Sequence, residues 1–188
     1  MFALTSEEGR TAVRIARAAL EKNLRGEAFT MPDLPPAFSE KRGVFVTLTA
    51  GGSLRGCIGL PYPVMPLAEG IVHAALSAAL EDPRFPAVRT GELAGIRVEV
   101  TVLSVPEPLT GPAAERAGHV EVGRHGLVVS GRGHSGLLLP QVATEYEWNT
   151  EEFLDHTCLK AGLPQGCWRR DEFEVAVFEG QIFTEEVE

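Results

Sequence analysis

Apolar residues recur at helical spacing near the start of the chain, at Ala12, Val13, Ile15, Ala16, Ala19, Leu20 and Leu24. Thr5 and Glu8 just before them have capping-box spacing, so the pattern predicts a first helix over residues 6–24. Three prolines between residues 31 and 37 mark a loop. Apolar runs over 44–50 and 54–60 flank Gly51 and Gly52, which predicts a β-hairpin. Pro66 then opens a second helix, with Ile71, Val72, Ala75, Leu76, Ala79 and Leu80 on its apolar side, and Asp82 and Pro83 end it. Over 96–105, Ile96, Val98, Val100 and Val102 alternate with Arg97, Glu99 and Thr101, which is a strand with one buried face. Pro106, Pro108 and Pro112 then make the best candidate linker. Short strands are expected over 120–122, 127–130 and 137–139, a helix over 150–161, and closing strands over 173–178 and 182–183. The chain thus reads as alternating helices and strands, without repeats or low-complexity tracts.

Composition narrows the classes of function. The chain has 188 residues, 44% of them hydrophobic, and a formal net charge of -9. That length supports a real core, and the negative charge argues against broad nucleic-acid or anionic-membrane binding. Arg169 and Arg170 read as a solvated pair after a loop. No apolar run approaches the roughly 18–20 residues that cross a bilayer; the longest, over 71–80, contains His73 and Ser77. The start MFALTSEEGR has neither a basic leader nor a signal-peptide core. Three cysteines, an odd number in distant segments, fit a reducing compartment better than a disulfide framework, so a cytoplasmic location is expected.

The richest chemistry lies in Leu54, Arg55, Gly56, Cys57, Ile58 and Gly59. Strand alternation turns Arg55 and Cys57 to the same side, where a guanidinium favours a thiolate, and puts Leu54, Ile58 and Leu60 toward the core. Gly56 and Gly59 leave the backbone open to close approach. The competing reading is a core strand with a small packed cysteine.

This LRGCIG segment, followed in register by PLAEGIVHAALSAALEDPRFP, GRHGLVV, GLLLPQVATEYEW, EEFLDHTCLKAGLP and GQIFTEE, resembles the AMMECR-one domain family, whose prokaryotic members are called AmmeMemoRadiSam system protein A. The likeness runs from about residue 41 to 185. It implies a two-domain α+β protein: a large domain from residues 1–110 and 171–188 with an antiparallel sheet, and a smaller inserted α+β domain over 111–170. It also implies that the LRGCIG side chains look into an interdomain cleft, and that Memo-like and radical-SAM proteins are functional partners. The family has no established reaction, so the resemblance constrains fold more than function.

Other residues carry weaker signals. Cys158 shares an apolar stripe with Phe153, Leu154, Thr157 and Ala161 and is expected to be buried, whereas His156 falls off that stripe and is a candidate acid or base. Arg84, in DPRFP, either ties Asp82 or a carbonyl in a rigid turn or binds a ligand carboxylate or phosphate. Gln141 and Glu145 share a helical face if a helix begins after Pro140, and Glu145 is then a second candidate base. No CxxC pair, HExxH, dinucleotide-binding glycine pattern, phosphate-binding GxxxxGK[ST] loop or GxSxG elbow occurs, and the histidine spacing marks no metal site, so neither cofactor nor metal is expected.

Two readings follow. In the first, a cofactor-independent cysteine-dependent hydrolase or transferase uses Cys57 as nucleophile, Arg55 to lower its pKa, and Glu145 or His156 to move a proton, with Gly56, Ile58, Gly59, Arg84 and Gln141 around the substrate. In the second, the protein is a non-catalytic binding or adaptor module holding a peptide or protein segment.

Overall fold

The computed structural model describes residues 3–186. In chain order its main elements are α1 (Ser6–Leu24), β1 (Val44–Ala50), β2 (Ser53–Leu60), α2 (Leu67–Leu80), β3 (Ile96–Leu103), β4 (Glu107–Pro108), β5 (Gly126–Gly131), β6 (His134–Leu138), α3 (Pro140–Glu145), α4 (Thr150–Lys160), β7 (Glu174–Phe178) and β8 (Gly180–Thr184). The fold is α+β. The chain separates into two compact units, one formed by the residues up to 104 together with those from 181, the other by residues 105–180.

The first unit carries a four-stranded sheet in the order β2-β1-β3-β8. Gly51 and Gly52, at φ 56° and 81°, make the turn between β1 and β2, a conformation in which a Cβ would be strained. Val44, Val46 and Leu48 of β1 pair with Val102, Val100 and Val98 of β3, and all six are buried with residues of α1 and α2. One face of the sheet is therefore the core face, and the alternate residues Phe45, Thr47, Thr49, Arg97, Glu99 and Thr101 belong to the opposite face. The capping box at Thr5 and Glu8 forms as its spacing predicts. The returning β8 closes on α1 through Phe183: a Cβ at Gly9 would lie 2.0 Å from its ring.

The second unit has its own sheet, in the order β4-β7-β5-β6, and a core rich in large rings, with Phe153, Trp168 and Phe173 almost fully buried. The proline-rich stretch expected as a linker follows directly on the passage from one unit to the other after residue 104; it also supplies β4, which pairs with β7, and Leu109 N–H donates to the Val175 carbonyl. Two sequence expectations change here. Because β7 also pairs with β5, the segment around 173–178 lies in the 105–180 unit, whereas the sequence reading put it with the closing strand. Residues 120–122 form no strand but lead into a turn over 122–124, where Glu121 N–H donates to His125 Nδ1, and the Arg124 and His125 N–H groups donate back to the Glu121 carbonyl.

The cysteine reading is also corrected. Cys158 is buried as expected, but it is joined to Cys167 in a disulfide, with Cα atoms 6.1 Å apart, and Cys57 is the free cysteine. An odd total conceals one pair and one thiol. No helix among the described residues is long and apolar enough to cross a membrane.

Candidate functional site

The LRGCIG segment forms β2, the edge strand of the first sheet. Cys57 pairs with Thr47 and Gly56 with Leu48, but the next pair is Leu54 with Thr49, so Arg55 is the extra residue of a β-bulge. The bulge moves Leu54 off the core side: it pairs on the Thr47 side of β1 and is 41% exposed. Strict alternation, which turned Arg55 toward the thiol, does not describe this strand.

Arg55 instead lies along the segment after α2. Its Nε and Nη2 donate to the two carboxylate oxygens of Glu92 at 2.8 and 3.1 Å, and its Nη1 donates to the Pro86 carbonyl at 3.0 Å. Hydrogen bonding from Arg55, then from the Arg89 N–H, holds the Glu92 carboxyl below its ordinary pKa. This guanidinium is spent on a bidentate pair that pins the bulge.

Asp82 and Arg84 close the outer edge of β2. Cys57 N–H points away from β1 and donates to Asp82 Oδ2 at 2.9 Å, which makes Cys57 and Thr47 a pair without ladder hydrogen bonds, the kind whose side chains approach most closely. Arg84 donates to both Asp82 oxygens, through Nε at 2.9 Å and Nη2 at 2.7 Å, and also to the Cys57 carbonyl at 3.3 Å. Hydrogen bonds from Arg84 hold the buried Asp82 carboxyl far below the usual carboxylate range; burial pushes the other way, and the Cys57 N–H assists. DPRFP thus satisfies both backbone groups of an edge residue that water or another strand would otherwise meet.

On the face opposite the core, which is half-buried at Thr47, Cys57 and Glu99, Thr47 Oγ1 lies 3.2 Å from Cys57 Sγ, and among the described residues it is the polar side-chain atom within hydrogen-bond reach of the thiol. Glu99 pairs with Thr47 from the other side, and Thr184 Oγ1 donates to Glu99 Oε2 at 3.4 Å. A thiol, a hydroxyl and a carboxylate therefore stand in one row across β2, β1 and β3. Alternation predicts the outward side of Glu99, but the partner of Cys57 depends on register, which no local pattern supplies.

The glycines and Ile58 do other work. A Cβ at Gly56 would lie 2.1 Å from the Ala78 carbonyl oxygen, so this glycine admits the backbone of α2, not a ligand. A Cβ at Gly59 would meet the Phe45 ring at 2.4 Å, and Ile58 packs against the core.

Gln141, Glu145 and His156 all belong to the 105–180 unit. Gln141 and Glu145 are exposed on α3, which begins at Pro140 as the shared-face expectation required. His156 is exposed on α4, and its ring stacks on Trp148 at 3.8 Å between centroids. Among the described residues no group of His, Cys, Asp and Glu side chains could hold a metal ion.

Comparison with known proteins agrees with this architecture. The AMMECR1 family model matches residues 13–183. Protein Mbar_A1807 of Methanosarcina barkeri is 53% identical, covering 97% of this chain and 92% of its own, and a Methanothermobacter thermautotrophicus protein is 52% identical with 97% of each covered. The crystal structure of uncharacterized protein PH0010 from Pyrococcus horikoshii superposes with a TM-score of 0.81 at 47% identity, covering 98% of this chain and 95% of that one.

Proposed function

The chain belongs to the AMMECR1 family, and from the state of its two arginines around LRGCIG we propose that the first unit is a non-catalytic binding module. Its half-buried sheet face opposite the core holds a peptide or protein segment, with the Cys57 thiol as a contact and not a nucleophile. The observation that carries this reading is that Arg55 and Arg84 are both neutralised in bidentate pairs, with Glu92 and Asp82. A reactive cysteine needs an electropositive surrounding or a base in reach. The Thr47 hydroxyl beside the Cys57 thiol is neither, and the Arg84 guanidinium, whose charge does reach Cys57, is already paired with the Asp82 carboxylate. Family association suggests Memo-like and radical-SAM proteins as the partners to try.

The half-buried free thiol is what favours the enzyme reading, in which Glu145 or His156 would move the proton. Iodoacetamide labelling at pH 7, followed by mass spectrometry, separates the two. The binding reading expects Cys57 to react no faster than a model cysteine peptide, with Arg55→Met changing the rate by less than about twofold. Labelling about tenfold or more above the model peptide returns Cys57 to a catalytic role. In titrations against purified Memo-like and radical-SAM proteins, Cys57→Ser should retain binding and Cys57→Trp, which fills the face, should abolish it.

A further inference from the structure

We propose that the aromatic stack between α3 and α4 is a docking site for an arginine side chain presented by a protein partner. The site lies wholly in the 105–180 unit and does not depend on the role given to Cys57. Tyr146, Trp148 and His156 form one pile: the Tyr146 and Trp148 centroids are 4.9 Å apart with planes 16° from parallel, and Trp148 and His156 are 3.8 Å apart at 5°. The pile is anchored at its middle, where Trp148 packs on the core and its backbone N–H donates to the Ala143 carbonyl. Its free end is not covered, for Tyr146 is 65% exposed. Between the two rings the chain passes through Glu147 at φ 55°, a left-handed conformation that costs an L-residue energy.

Charge selects the occupant. Residues 133–159 contain neither lysine nor arginine, yet hold Glu145, Glu147, Glu151, Glu152 and Asp155. The last three are engaged: Glu151 with Arg169, Glu152 with the Asn149 N–H, and Asp155 with Gln165, Gly166 and Trp168. Glu145 and Glu147 flank Tyr146 in the chain and are exposed, and their carboxylates have no hydrogen-bond or ion-pair partner among the described residues. An exposed electron-rich ring whose two chain neighbours carry unpaired carboxylates attracts a cation and repels phosphate or carboxylate ligands. A planar guanidinium can stack on the ring while its fork donates to a carboxylate, which the compact, strongly hydrated ammonium of lysine cannot match. The same unit already uses this pairing internally, since Arg169 lies 4.0 Å from the Trp168 ring centroid and donates to Glu151.

The test is a calorimetric titration of the full chain with a glycine-serine peptide bearing three arginines, against the same peptide bearing three lysines. The arginine peptide should bind about fivefold or more tightly than the lysine peptide. Tyr146→Ala should weaken it by a similar factor and Tyr146→Phe should not. The double variant Glu145→Gln with Glu147→Gln should weaken binding and flatten its salt dependence. Circular dichroism checks the fold of each variant. Equal binding of the two peptides, unaltered in Tyr146→Ala, would reduce the effect to diffuse attraction by an acidic chain and overturn the site. Stronger, salt-independent binding of adenosine at Tyr146 would overturn it in favour of a heterocycle platform.

Discussion

Each unit ties down the segment after one of its helices with an aspartate, and the two do it differently. After α2, Asp82 gathers the Cys57 N–H together with the backbone and side chain of Arg84. On α4, Asp155 gathers Gln165, the Gly166 N–H and the Trp168 indole N–H. Both carboxyls sit below their ordinary pKa. For Asp82 the Arg84 hydrogen bonds dominate; for Asp155 burial pushes upward and is outweighed by hydrogen bonds from Gln165, Trp168 and Gly166. The smaller unit adds the Cys158–Cys167 disulfide across the same segment, whereas the larger relies on ionic and backbone contacts and leaves Cys57 unpaired. The difference follows core size: a small core supplies less burial per residue and gains more from a covalent staple.

In the larger unit, breaking the close approach of β2 to α2 beside that tie should have the greatest effect. Gly56→Ala drives a Cβ to 2.1 Å from the Ala78 carbonyl, an overpacking expected to cost about 3 kcal/mol or more. Urea denaturation measures the loss, and hydrogen exchange should localise it to β1, β2 and α2.

Breaking the smaller unit's staple comes next. Reduction, or Cys167→Ala, removes a cross-link of sequence separation 9, which the loop-entropy relation values at about 2–3 kcal/mol. Protection should fall over 150–170 and persist in β1–β3. Thiol titration of the unreduced, denatured protein should find one free thiol and, after reduction, three; three before reduction would remove the contrast.

The smallest effect sharpens the comparison through pH. A depressed carboxyl contributes stability above its unfolded pKa of about 3.9 and loses that contribution as pH falls toward the folded value. Stability should therefore fall from about pH 4 downward, and Asp82→Asn should make that fall shallower in the first unit while leaving the Asp155 part in the second. At pH 7 the same variant should cost about 1–3 kcal/mol, because the Cys57 N–H loses its charged acceptor.

Local order was legible in the chain. The capping box at Thr5 and Glu8, the hairpin turn at Gly51 and Gly52, the helix from Pro140 and the alternation of β3 all appear where short-range sterics and periodicity place them, and the residues of the LRGCIG strand were visible by type. What the tertiary structure alone decided are pairings between distant segments. Arg55 meets Glu92, Cys57 meets Asp82 and Thr47, and Cys158 meets Cys167. A single-residue bulge cancelled the face assignment of Leu54, because period-two alternation holds only while the register does. Side-chain chemistry is a property of residues and can be read one position at a time, but whether an arginine activates a thiol or serves a glutamate depends on which distant segment packs beside it.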